Sequence, residues 1–487
     1  MRPWLSRTLI VAAAFSACWL GALWYWRSTT RMPDTGDIVI WLLLMPLLLL
    51  LVLWAGRKII AAVSARSAAA AAVAAATASQ AAAAPVPDAA KPAALVVLAG
   101  ALNMPHGDNV HTLSEALRSR QANLQLDPTL LDERGYPILS GRADSVDSLA
   151  QQETMDEWLQ LHHPDHVLDD EQWRALALGS VVASELAFEL GPHPALPAYL
   201  DALQAGKATL PLPTLQLVLL LPTEWNAAQR AVAADWLRTI VELHGWPQAH
   251  VATVLAHAGA DVAPGPLALV DTLAGRAQRA GQPFLCMLMA CGSRIGEGSV
   301  EAWAEQFILL DSRNPNGRVP GEGAAGVLLA DRAQGALFDA PDAALLYPAA
   351  SGTRASSADG RGRIDSALIT QQATDLLASA GIAASTVTLV SADSDARASR
   401  VGETLGMATN LLPDLDPVDQ VVTVAGSCGD AGDATLLAAL VLAQHHVRSG
   451  AGAALCVSNL DPVQRSVALL GPQPAPQLSP QPVSLAA

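Results

Sequence analysis

Residues Arg318–Gly326 read Arg-Val-Pro-Gly-Glu-Gly-Ala-Ala-Gly and run directly into the apolar segment Val327–Ala330. Gly321, Gly323 and Gly326 leave the backbone almost bare, and the apolar residues behind them read as a buried strand, Gly326–Leu329. Gly321-Glu322-Gly323 is not a phosphate loop, because no Lys-Ser/Thr pair follows it.

Outward from this segment, short apolar runs alternate with amphipathic stretches from Leu95 onward, the pattern of an α/β fold. Leu95–Ala99, Leu217–Leu221, Val251–Leu255, Phe284–Ala290, Val387–Val390, Gln420–Val424 and Ala453–Ser458 read as further strands. Ala227–His244, Ala367–Ala380 and Ala434–His446 carry helical periodicity. Two stretches break the rhythm and read as surface loops. Gln151–Glu171 is acidic and His-bearing, and Ala349–Arg363 is rich in Ser, Gly and Arg.

The chain opens on two further apolar runs, Thr8–Trp26 and Ile38–Ala55. Each is close to the roughly 18–20 residues that cross about 30 Å of hydrocarbon. Trp4, Trp24, Trp26, Trp41 and Trp54 stand near their ends, as interfacial anchors would. A two-helix membrane hairpin over 1–63 is expected, with spans at 8–26 and 38–55. Arg2 and Arg7 before it, and Arg57, Lys58 and Arg66 after it, favour both termini in the cytoplasm of a bacterial inner-membrane protein. An Ala-rich tract ending in Pro85-Val86-Pro87 and Lys91-Pro92 makes 64–94 a tether, and 476–487 is a Pro-rich tail.

With 51% hydrophobic residues, the 487-residue chain can bury a large core. Its formal net charge of -16 argues against a nucleic-acid partner, since no basic stripe could neutralise phosphates. The five Cys form no CxxC pair, so neither a disulfide framework nor a zinc site is expected. His162-His163-Pro164-Asp165-His166 has ligand-type residues but reads as a solvated loop, and no cofactor or metal is expected. Asp393, Asp395, Asp414, Asp416 and Asp419 read as a solvated acidic face.

The glycine-rich segment resembles the signature of the β-ketoacyl synthases, within the thiolase-like superfamily, and weaker likenesses follow in the family's order from Leu95 to about Leu470. Leu95–Asn109 is similar to the opening strand and loop. Leu267–Gly292 is similar to the nucleophile helix and the strand after it. Ser391–Glu403 and Gly426–Ala434 are similar to the two catalytic-His loops. The resemblance implies a five-layer αβαβα fold of two similar halves, 95–331 and 332–475. It also implies a two-fold dimer, with Phe284–Ala290 as the pairing edge.

A condensing enzyme needs a Cys thiolate at a helix N-terminus and two His side chains for the incoming malonyl group and the oxyanion. By the same resemblance the nucleophile position falls in Pro264-Gly265-Pro266, the first His position on Ala392 and the second on Asp430. All three roles are vacant. Cys286, Cys291 and Cys428 are the alternative thiols, and Cys428, Asp430 and His445 form the least implausible trio. The expected function is therefore a catalytically inactive, membrane-tethered scaffold or adaptor, with a secretion apparatus as one setting. Its partners would be the lipid bilayer, proteins of a membrane assembly and a second copy. A divergent acyl-transferring enzyme of lipid or polyketide synthesis, or an acyl-CoA or acyl-carrier binding module, is the alternative.

Overall fold

The computed structural model describes residues 93–146, 149–207, 211–256, 265–338, 340, 342–360 and 362–473. The expected membrane spans, nearly all of the tether, Pro264 and the 476–487 tail lie outside the described residues. No described helix is long and apolar enough to cross a membrane.

Among the described residues, seven strands form the first half: β1 (Leu95–Asn103), β2 (Gln125–Leu131), β3 (Pro137–Ser140), β4 (Leu215–Leu220), β5 (Val251–Ala256), β6 (Leu285–Ser293) and β7 (Glu322–Ala330). Six described strands form the second: β8 (Ala344–Leu346), β9 (Ala350–Thr353), β10 (Val387–Ala392), β11 (Val421–Thr423), β12 (Ala453–Ser458) and β13 (Gln464–Pro472). The first half pairs in the order β5-β4-β6-β7-β1, with β5, β4 and β6 parallel and both β7 contacts antiparallel. The second repeats it as β11-β10-β12-β13, closed by β8 and β9 against β13, with the same strand directions. β8 joins the two, since Leu346 faces both Leu95 and Leu470. The hairpin β2-β3 stands apart as a two-stranded ribbon.

Both faces of each sheet are covered, which is why the strands read as unbroken apolar runs. On β6, Met287, Met289 and Cys291 enter the outer core of the first half, beneath helices Asp170–Phe188 and Ala227–Leu243. Cys286, Leu288 and Ala290 enter the core between the sheets, with Leu437, Leu440 and Val441 of helix Asp433–Arg448 and Val270 of helix Pro266–Ala280. Helices Ala367–Ala380 and Ala398–Leu411 close the outer face of the second half through Ile369, Leu376 and Met407. The layers run helix, sheet, helix, sheet, helix. The middle helix Asp433–Arg448 is apolar on nearly every side because both sheets bury it.

Local signals set the helix ends. Asp169 and Asn226 cap their helices reciprocally with Gln172 and Gln229. Pro266 opens its helix and Gly281, left-handed at φ 62, ends it.

Three expectations are corrected. Most of Gln151–Glu171 is helical: Leu149–His162 is a helix and another starts at Asp170. Its apolar stripe is narrow over 151–162, where Met155 and Leu159 are buried beside the half-buried Trp158, so acidic residues hide the period. Ala349–Arg363 is not all loop, since β9 pairs with β13 inside it. Phe284–Ala290 is no pairing edge: β6 is hydrogen-bonded on both sides, to β4 and β7. β5 ends the order, paired with β4 alone among the described strands.

Candidate functional site

The parallel strands of both halves end on one side of the molecule, where an α/β fold opens its clefts. A cavity of about 530 Å³ lies there. Leu220, Leu269 and Leu436 line its apolar part; Ser293, Arg294, Arg318, Asp393, Asp430 and Arg465 line its polar part.

Bare backbone crossings make this corner possible. A Cβ on Gly141 would lie 1.8 Å from the Cys428 carbonyl oxygen, and one on Gly321 would lie 2.6 Å from the same atom. The backbones bridge at Gly141–Gly321 and Pro320–Asp430. Gly326 is equally confined, its missing Cβ facing Leu186, Leu288 and Met289. Gly323 lies against Met104. The glycine-rich segment thus allows three chain segments to cross in contact, and its Glu322 is wholly buried.

Positions distant in sequence converge on the cavity. Gly265 and Pro266 line it at the start of their helix, Asp430 stands in the polar wall, and Asp393 lines it next to the buried Ala392. Gly265 (φ 96) has no side chain to react and Pro266 has no N–H to donate.

Asp430 is 1% exposed. Its carboxylate accepts from Arg294 at 2.6 Å, Arg318 at 3.3 Å and the Gly432 N–H at 2.9 Å. Burial pushes this carboxyl up, but the two guanidiniums and the Gly432 N–H outweigh it and hold it below the usual aspartate range. Arg294 also pairs with Glu224 at 3.2 Å. Asp393 behaves oppositely. Burial pushes it up to about 6, despite donors from the Ser458 hydroxyl and the Asn459 and Leu460 N–H groups.

The alternative thiols separate. Cys286 faces the central core, and burial pushes its thiol far up. Cys291 is part of the cavity wall but turns its sulfur outward against Gly179, and Cys428 donates to the Pro105 carbonyl at 3.4 Å; burial pushes both thiols up to about 12. A thiol at that value is about one part in 10⁵ thiolate at pH 7. The trio of Cys428, Asp430 and His445 does not assemble. His445 sits near the far end of its helix, roughly 18 Å along the axis from Asp433, where its ring meets that of His111 at 4.5 Å.

Asp393 and Asp395 are buried, not solvated, which corrects the acidic-face expectation. Asp395 pairs with Arg397 at 2.7 Å, whereas Asp414, Asp416 and Asp419 are exposed. His163 pairs with Asp235 at 3.3 Å, and among the described residues no cluster of three ligand-type side chains could hold a metal. The arginines that organise the site, Arg174, Arg294 and Arg465, carry no motif; only proximity to a buried carboxylate reveals them.

No family model and no curated protein matches the sequence. Solved structures do match it. The ketosynthase from module 6 of the bacillaene synthase of Bacillus subtilis 168 is 14% identical, with a TM-score of 0.51 over 78% of this chain and 73% of that one. The oxazolomycin ketosynthase domain of Streptomyces albus JA3453 is 14% identical, at 0.52 over 80% of this chain and 77% of that one. The ishigamide ketosynthase/chain length factor is 17% identical, at 0.50 over 78% of this chain and all of that one. At such identities the likeness carries fold and not activity: the described part of the chain has the thiolase-like fold of the ketosynthases.

Proposed function

We propose that this chain is a catalytically silent protein of ketosynthase-like fold, tethered to a bacterial inner membrane, that works by binding as a scaffold or adaptor. The observation that carries this reading is Asp430. Where the resemblance puts an oxyanion-stabilising imidazole, the cavity has a buried carboxylate clamped by Arg294 and Arg318. A fixed negative charge opposes the enolate and oxyanion that condensation develops. The vacancy at Gly265 and Pro266, and the raised Cys291 and Cys428 thiols, point the same way. The membrane part rests on the apolar runs at 8–26 and 38–55.

One observation favours an acyl-transferring enzyme: Cys291 stands in the cavity wall, although its sulfur packs outward against Gly179 of helix Asp170–Phe188. Intact-mass analysis after incubation with acyl-CoA and acyl-carrier donors separates the readings. The expected spectrum shows unmodified protein. An acyl adduct that disappears in Cys291→Ala would establish the enzyme and name its nucleophile.

A second copy would pair along β5, whose sequence Val-Ala-Thr-Val-Leu-Ala is apolar and half-buried at the end of the sheet. Thr253 is its exposed position. Thr253→Lys places a charge on that edge and is expected to turn a dimer into a folded monomer in sedimentation velocity. A variant that stays dimeric refutes the β5 interface.

A further inference from the structure

The second half buries an unusual amount of charge. Arg354 and Arg465 both pair with Glu403, and Arg397 pairs with Asp395. Arg400 is 0% exposed and Arg397 is 9% exposed. Their compensating carboxylate comes from outside this core: Asp359, with a side chain 41% exposed, reaches in from the strap 355–360. One oxygen, Oδ1, lies 2.8 Å from Arg397 Nη1 and 2.9 Å from Arg400 Nη2. The Arg400 Nη2 contact lacks hydrogen-bond geometry, so this buried nitrogen has an ion pair but no hydrogen bond. Otherwise the strap body is fastened lightly. Arg354 brackets it, bonded to Val463, Glu403 and the Ser356 carbonyl at its start and to the Asp365 carbonyl at 2.7 Å after it, and Ala358 N–H donates to the Pro462 carbonyl at 2.8 Å.

The geometry points to a carboxylate-binding site formed by Arg397, Arg400 and Ser399, occupied in this structure by the chain's own Asp359. Ser399 lies beside it, its hydroxyl accepting from Arg400 Nη1 at 2.9 Å. The charge count selects the ligand class. Arg354, Arg397, Arg400 and Arg465 stand against Asp359, Asp393, Asp395 and Glu403, four against four. Without Asp359 one positive charge is left over, which a monoanionic carboxylate neutralises and a phosphate dianion overshoots. Burial and the neighbouring Arg397 guanidinium lower the Arg400 pKa, the direction expected of a guanidinium short of compensation. The site also touches the cavity wall. Arg397 and Arg400 both donate to the Leu460 carbonyl, and Leu460 lines the cavity. Exchange of Asp359 for the carboxylate of a free ligand would release the strap while leaving that wall gripped. This inference does not depend on whether the cavity is catalytically silent.

The test uses the full-length protein with formate as the probe. Asp359→Ala is expected to melt roughly 3–5 °C lower than wild type, and formate is expected to restore most of that loss saturably. Chloride at matched ionic strength should not restore it, nor should formate restore Asp359→Ala combined with Arg400→Met. No restoration, or equal restoration by chloride, overturns the site. If Asp359→Ala does not fold, trypsin cleavage after the exposed Arg363 of wild type decides. Formate that speeds the cut supports a displaceable Asp359; an unchanged rate overturns it.

Discussion

Glu322→Ala is expected to cost about 3–5 kcal/mol of folding stability, read as a lower urea midpoint at unchanged slope. Glu322 is 0% exposed at the first position of β7, inside the glycine-rich segment. Its carboxylate accepts from Arg174 twice, at 2.6 and 2.8 Å. It also accepts from the Ala143 N–H at 2.8 Å and the Ser293 hydroxyl at 3.1 Å. Four donors from three segments therefore meet on one side chain. Truncation takes from the Arg174 guanidinium, 4% exposed, the carboxylate that accepts from it twice, and leaves the Ala143 N–H and the Ser293 hydroxyl without that acceptor in a low-dielectric corner. Glu322→Gln keeps the shape and should lose less. Glu322→Leu with Arg174→Met removes both charges together and should recover much of the loss, because such a pair is worth little against well-packed apolar residues. A loss below about 1 kcal/mol for Glu322→Ala would mean that water reaches the pair and that Glu322 does not hold the three segments together.

The same residue shows what a sequence can disclose. Glu322 stands out as part of a motif, yet only the fold brings Arg174 opposite it from 148 positions away. Strands β1, β4, β6, β10 and β12 are legible because both faces are buried, which writes an unbroken apolar run into each. The hairpin β2-β3 is not, since one face is open and Asp127-Pro128 interrupts β2. An apolar run reports burial but not neighbours. β5 and β6 are both mostly apolar, broken by Thr253 in one and ending in Ser293 in the other, so nothing local says that β5 ends the sheet while β6 lies inside it. The site divides in the same way. Gly265, Pro266, Ala392 and Asp430 were placed by resemblance, and Asp430, Gly265 and Pro266 meet at one cavity. Asp393 and Asp395 look solvated in a run of acids, and are buried because Ser458, Arg397 and backbone donors wait for them in space.

Asp430→Ala is expected to lose about 3–5 kcal/mol at pH 7, because Arg294 and Arg318 then share no buried carboxylate. Asp430→His should fare no better and should not create condensing activity, since an imidazolium beside two guanidiniums is repelled and no thiolate faces it. Acid offers a finer test. The folded Asp430 carboxyl titrates below its unfolded value near 3.8, so the unfolded chain binds the proton first as pH falls. Its contribution is complete above about pH 4 and fades as pH drops through the folded value, so wild type and Asp430→Asn should converge in stability there. Asp393 supplies the opposite sign within the same cavity. Its folded value, about 6, lies above 3.8, so its ionisation on raising the pH through that window weakens the fold. Asp393→Asn should therefore gain on wild type between pH 4 and 6, while Asp430→Asn holds a constant deficit. Parallel pH profiles for the two variants would show that the cavity is wet enough to screen both carboxylates, and the clamp on Asp430 could then no longer carry the proposal that the site is silent.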